Sequence, residues 1–318
     1  MRNDLGAELS KNPQYIDRVN KSIGDLKTHF EEIKKILYKP LSNHNINDAF
    51  TRFNEIFDCV PLLKNELSQI QIVRGRPHNL NSPLCKESWE ISYNWRFREK
   101  IELGRFNQKG EPLFYGSLPT ESTDIDYILA SALECCKELT LEYNCPPKQE
   151  ITLGGWIVDK PFYVVNLCFD DKHLSQNPKF KSTVDLFIST IKSYFSFEVS
   201  EFVETFYRYF SEMSRTIMNK NECYPVLVAL FHSIRFYYER YNKQPIYGLI
   251  YPGAMTLGKG LNTVLTREAV NEFLRLDKVV MYQYDLSETD NKTWTADKCT
   301  DIVKVKGHKF NLTNYMSH

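Results

Sequence analysis

The chain has 318 residues, 25% of them charged and 42% hydrophobic, a globular balance with enough apolar mass for a sizeable core. Forty basic and forty acidic residues cancel, so no global field recruits nucleic acid or an anionic membrane, and no polyanion partner is expected. Eight cysteines stand without CxxC pairs or Cys/His clusters at zinc-ligand spacing, which argues against a metal and for free thiols in a reducing cytoplasm. The opening MRNDLGAELS has no apolar signal core, and no apolar run approaches the roughly 18 residues of a membrane span. The expectation is a cytoplasmic protein with no membrane partner.

In residues 14–38, Ile16, Val19, Ile23, Leu26, Phe30, Ile33 and Leu37 step by three and four, lining one stripe of a helix that Pro40 ends. Asn47 is placed to cap a second helix carrying Phe50, Phe53, Phe57 and Val60 before Pro61. Residues 1–68 therefore read as a helical hairpin, packed on the main domain or serving as a seam between copies of the chain.

From about Gln69 the texture changes to β-like runs, QIQIVRGR, EPLFYGS and PFYVVNLCF, between turn-rich HNLNSP and NQKGEP, so residues 69–318 read as the main domain. A helix is expected between Asp124 and Tyr143, with Leu129, Ala132, Leu133 and Cys136 on its apolar side and Glu134 on another face. Residues 181–242 read as an insertion of two or three helices, with Phe187, Phe195, Phe202, Phe206, Phe210, Phe231 and Phe236 assigned to packing and His232 to core or interface. Strand-like YGLIYP and LNTVL follow, then a helix from Thr266 to Leu276 and the strands VVMYQYDL and DIVKVKG.

Around Arg105, the order Gly104, Asn107, Gly110 predicts a strand end turning back through NQKG into PLFYG, with the Arg at the rim of a hairpin. A rim Arg can grip a pyrophosphate through two charge-assisted hydrogen bonds. Gly253, Gly258 and Lys259 satisfy GxxxxGK, but Gly260 replaces the Ser or Thr of a P-loop and a strand follows in place of a helix, so phosphate-loop chemistry is set aside. No GxGxxG, GxSxG or HExxH pattern appears.

Taken in order, IVRGRP (Ile72–Pro77), GRFNQKGEPLFYGS (Gly104–Ser117), SALEC (Ser131–Cys135) and YGLIYPGAMTLGKGLNTVL (Tyr247–Leu265) resemble the RES domain family, named for an Arg, a Glu and a Ser. The resemblance covers about residues 69–285. It implies an α+β fold with a split, mostly antiparallel sheet around a nucleotide cleft, similar to ADP-ribosyltransferases. It also implies cleavage of the nicotinamide–ribose bond of NAD, a substrate and not a cofactor, with water or phosphate as acceptor. Such an enzyme would deplete NAD as a toxin or defence effector, with an antitoxin or regulatory protein as partner.

By the same resemblance Arg74 and Arg105 would clamp the pyrophosphate, Tyr115 would stack on the nicotinamide, Glu134 would support the ribose, and Asn262 would line the substrate site. Arg74 and Arg76 compete for the first Arg and are expected on opposite strand faces. Val73 before it favours Arg74, because members tend to carry an apolar residue there. Two departures stand out: a longer stretch, PTESTDID or thereabouts, separates Tyr115 from Glu134, and Gly253 occupies the family's Ser position. A non-catalytic nucleotide- or partner-binding module and an ADP-ribosyltransferase acting on a macromolecule remain open alternatives.

Overall fold

The computed structural model describes residues 5–37, 39, 42–78, 83–120, 126–135, 148–216, 220–241, 244–256, 258–286 and 294–313. Pro40, most of HNLNSP and most of PTESTDID, and Cys136 and Cys145, lie outside them. The described chain is α+β, and its strand pairings are mostly antiparallel. Two compact units divide it differently from a serial cut near residue 68. The first takes Met1–Glu66, Glu99–Glu111 and Phe162–Pro252; the second takes Leu67–Arg98, Pro112–Pro161 and Gly253–His318.

The first unit is mostly helical. Its helices are α1 (Leu5–Ser10), α2 (Pro13–Lys21), α3 (Ile23–Ile36), α4 (Asn43–Phe57), then α6 (Asp171–Gln176), α7 (Pro178–Tyr194), α8 (Phe197–Arg215) and α9 (Lys220–Arg240). The single helix expected over residues 14–38 is two. Ser22 turns its N–H onto the carbonyls of Arg18 and Val19, and its hydroxyl onto Arg18, ending α2. A hydroxyl competing for local carbonyls, followed by Gly24, favours a break there. The second helix begins earlier than Asn47 implies, because Ser42 caps it by accepting from Asn45 N–H at 3.2 Å.

The apolar stripe is spent inside the chain: Val19, Leu26, Phe30, Ile33 and Leu37 are buried, and Phe30 meets the rings of Phe202, Phe206, Tyr209 and Phe210. Phe53 and Phe57 of α4 join the same cluster through Phe206. Buried edge-to-face ring pairs add about 0.5–1.5 kcal/mol each beyond the area they cover. Tyr207 ties this helical core to the segment that precedes Lys64: its buried hydroxyl accepts from Leu63 N–H at 2.8 Å and donates to the Pro61 carbonyl at 3.2 Å. Phe236 departs from the expected core set; it is 41% exposed and leans on Phe50 at 5.5 Å. Strands β1 (Lys64–Leu67), β5 (Phe162–Asn166) and β6 (Ile246–Pro252) lie side by side, β5 and β6 in parallel.

The second unit is an antiparallel sheet with α5 (Tyr127–Cys135) packed on one face. Its strands run in the order β7 (Leu261–Leu265), β3 (Phe114–Leu118), β2 (Gln71–His78), β4 (Lys148–Val158) and β8 (Leu274–Leu286); β9 (Trp294–Lys298) and β10 (Val303–Lys304) also pair with β8. The helix α10 (Arg267–Phe273), capped by Thr266, ends where β8 begins.

The strand β4 carries most of the pairing of β2 and β8, and the paired glycines Gly154 and Gly155 hid it in sequence. A register shift between Gly155 and Trp156 marks the irregularity they permit. The described part of α5 ends at Cys135, and its buried residues are the small Ala130, Ser131 and Ala132, while Leu129 is 37% exposed. Small residues let the helix approach β2 closely enough for Ser131 Oγ to donate to the Val73 carbonyl at 3.0 Å.

Candidate functional site

Alternation along β2 decides which face each of its residues serves. Residues i and i+2 share a face, so Arg74 and Arg76 lie together, not on opposite sides as expected. Val73 packs with Ala132 of α5, and a Cβ on Gly75 would come 2.6 Å from Cys135 Sγ, so the odd positions face the helix. Arg74 lies on the other face, its guanidinium 5.0 Å from the Phe114 ring, with Nη1 donating to the Tyr115 carbonyl at 2.7 Å. Arg76 donates to the Glu90 carbonyl in the 3₁₀ turn Ser88–Ile91.

The face toward α5 gathers the remaining polar groups. Ser117 of β3 pairs with Asn262 of β7, and its hydroxyl donates to Asn262 Oδ1 at 3.0 Å. Tyr115, two residues before Ser117, shares that face and is half-buried. Asn262 is 2% exposed, and its Nδ2 has no hydrogen-bond partner among the described residues. Leaving such a donor unpaired costs about 1–3 kcal/mol, so it marks a place where packing was not optimised for stability alone.

The segment from Gly253 to Gly260 closes on itself. Gly253 N–H donates to the Gly260 carbonyl and Gly258 N–H to the Gly253 carbonyl, both at 2.8 Å, with Gly258 at φ +85. Thr256 Oγ1 accepts from Gly260 N–H at 2.8 Å. At the C-terminal end of α5, Glu134 Oε1 accepts from Met255 N–H at 2.9 Å. The anion held by this glycine-rich loop is thus the chain's own carboxylate.

Gly253 is a position of close approach: a Cβ there would collide with Thr256 Oγ1 and sit 2.7 Å from Glu134 Oε1. The hydroxyl of Thr256 therefore stands beside the carboxylate, in the space into which a side chain at position 253 would project. Sequence reasoning passed over Thr256, because it sits inside the GxxxxGK run that the missing helix had discounted.

Gly253→Ser is accordingly expected to lower stability by about 1–3 kcal/mol through overpacking. Thermal melting of the variant beside the parent checks it. A variant as stable as the parent would show that the loop makes room.

Arg105 belongs to the first unit and ends no strand. Residues 101–113 are irregular, so the expected hairpin is replaced by a loop in which Gly110 N–H donates to the Ile101 carbonyl and Gly104 N–H to the Asn107 carbonyl. Asn107 folds so tightly over Gly104 that a Cβ there would collide with its Oδ1. The Arg105 guanidinium donates to the Ser214 carbonyl and lies 6.0 Å from the Tyr251 ring, while buried Phe106 packs on Tyr251 at 4.9 Å. His232 of α9 contacts Glu111 at 3.1 Å.

The structure thus brings Glu134 to Gly253, sets Tyr115 and Asn262 on the same sheet face, and places Arg74 across the sheet. A Cys–His contact elsewhere in the second unit, Cys85 Sγ to His78 Nε2 at 3.8 Å, is no activated nucleophile. Burial pushes the Cys85 thiol up to about 11 and holds the His78 imidazole below its ordinary range, so the pair is neutral. The described cysteines are free, and no described group of three or more His, Cys, Asp or Glu is arranged to hold a metal. No described helix is long and apolar enough to cross a membrane. Neither a scan of protein-family models nor a search of curated proteins returns a match to this chain.

Proposed function

We propose that the second unit binds NAD and cleaves its nicotinamide–ribose bond, on a scaffold of ADP-ribosyltransferase type. The observation that carries this reading is an anion and an unspent donor on one sheet face: the Glu134 carboxylate at the Gly253 loop, and the buried Nδ2 of Asn262. Cleavage releases neutral nicotinamide from a pyridinium, so no general acid is required. The demand is to stabilise an oxocarbenium-like ribose, which a fixed carboxylate meets. Glu134 supplies the negative charge and accepts from a ribose hydroxyl, Asn262 donates to a substrate oxygen, and the Tyr115 ring stacks on nicotinamide.

Arg74, across the sheet, serves by holding the backbone of Tyr115. In this reading it makes no pyrophosphate contact, and Arg105 is assigned none. Water or phosphate takes the ribose, and the consequence for a cell is loss of NAD, the action of a toxin or defence effector held in check by a partner protein.

A non-catalytic nucleotide-binding module is the second reading. It is favoured by the crowding at position 253, where the space a side chain would take is filled by Thr256 and by a Glu134 oxygen already engaged with Met255. Incubating pure protein with NAD, in buffers with and without phosphate, separates the two. The first reading expects nicotinamide in the chromatogram, whereas saturable NAD binding without nicotinamide supports the second. The absence of both binding and release sinks both readings, and label carried from NAD onto a macromolecule would redirect the chemistry to transfer.

A further inference from the structure

The first unit contains a cavity of about 930 Å³ between α1, α7, α9, β1 and β5, within the range of about 300–1,000 Å³ typical of small-molecule sites. Its apolar wall includes buried Leu9, Leu62 and the ring of Tyr238. Its charges are of both signs. Lys64 and Glu66 alternate on β1 and so share one face, both half-buried, and Glu8 of α1 adds a second carboxylate.

The Lys64 ammonium lies 6.0 Å from the Tyr238 ring. Glu66 Oε2 accepts from the Tyr163 hydroxyl at 3.1 Å, which fixes its direction. No ion pair among the described residues involves Lys64, Glu66 or Glu8. Neighbouring opposite charges that do not neutralise each other, set against an aromatic wall, are complementary to a ligand carrying both charges.

We infer that this cavity is a ligand site for a small zwitterion with an apolar body, the chemistry of an aromatic amino acid or a short apolar peptide. The carboxylate of the ligand meets Lys64, its ammonium meets Glu66 with Glu8 nearby, and its apolar part lies on Leu9, Leu62 and Tyr238. The spacing suits this. Residues i and i+2 of a strand stand roughly 6.5 Å apart on one face, so the Lys64 ammonium and the Glu66 carboxylate can reach the two charged ends of one small zwitterion through charge-assisted hydrogen bonds of about 2.8 Å. The site lies in the first unit and does not rest on the NAD reading.

Calorimetric titration of the full chain with L-phenylalanine and with the dipeptide Phe-Phe tests it, using N-acetyl-L-phenylalanine and L-phenylalaninamide as charge-blocked controls. At least one zwitterion should bind saturably, and removing either of its charges should weaken binding about 10-fold or more, the worth of one charge-assisted hydrogen bond. Lys64→Gln should abolish the preference for phenylalanine over its amide, and Glu66→Gln the preference over the N-acetyl form. No saturable heat from either zwitterion overturns the proposal, as does equal binding of the blocked compounds or parent-like selectivity in variants that melt like the parent. The ligand series on the parent decides the matter even if a variant misfolds.

Discussion

If NAD cleavage runs as proposed, Glu134→Gln is expected to cut nicotinamide release about 10²- to 10³-fold while changing NAD affinity only a few-fold, because it deletes the charge that an oxocarbenium-like ribose needs but keeps a hydrogen-bonding side chain. The amide oxygen of Gln can still accept from Met255 N–H, the contact Glu134 makes at 2.9 Å. The loop should therefore survive, and a parent-like melting temperature serves as the control. Single-turnover release of nicotinamide, read with a separate NAD binding isotherm, distinguishes lost chemistry from lost binding. If a folded Gln variant turns NAD over at the parental rate, Glu134 is a structural carboxylate and the cleavage mechanism is wrong. If affinity and rate fall together, Glu134 acts mainly by binding.

The largest effect on stability is expected at Phe206, where truncation to Ala should cost about 3–5 kcal/mol. Its ring contacts Phe30, Phe53, Phe57, Phe202, Tyr207 and Phe210, so it joins α3 and α4 to α8. Phe236→Ala, at a half-exposed ring touching Phe50, should cost about 1 kcal/mol or less. Denaturant unfolding of the two variants side by side gives the comparison. Equal losses would mean that the buried ring cluster is not what holds the helices together.

Periodicity made the helical half of the chain legible, because burial of one face is a repeated demand that many residues answer together. Leu26, Phe30 and Ile33 could be assigned to one apolar helix stripe from spacing alone, though not to the chain's own core in preference to a seam between copies. The break at Ser22 could not, since one hydroxyl and one N–H turned onto nearby carbonyls leave the apolar spacing intact. In the sheet, β2 and β3 showed themselves through β-branched and aromatic residues, whereas β4 was obscured by Gly154 and Gly155. Their lack of side chains fits a crowded place: a Cβ on Gly154 would come 2.8 Å from Ile91 Cδ1, and one on Gly155 2.5 Å from Gln71 Nε2.

At the site, the neighbourhood of Glu134 and Gly253 was suggested only by resemblance; the long stretch of chain between them hides it from any local pattern. The side of the sheet on which Arg74 falls was readable in principle from strand parity. The contact of Arg105 with Ser214 was not, because it depends on where a distant helix ends.

The division of the chain into units made of three segments each has a consequence for synthesis. The first unit holds all its segments once Pro252 has been made, but the second waits for Gly253–His318. Until then β3 and β4 lack the partners β7 and β8 that flank them in the finished sheet. Emerging from the ribosome, the chain thus carries unpaired edges on β3 and β4 until residues 253–286 have appeared, a template for pairing with another nascent chain. A stop codon just past Pro252 should therefore yield inclusion bodies, not a soluble helical fragment, and chaperone supply should govern the yield of the intact chain.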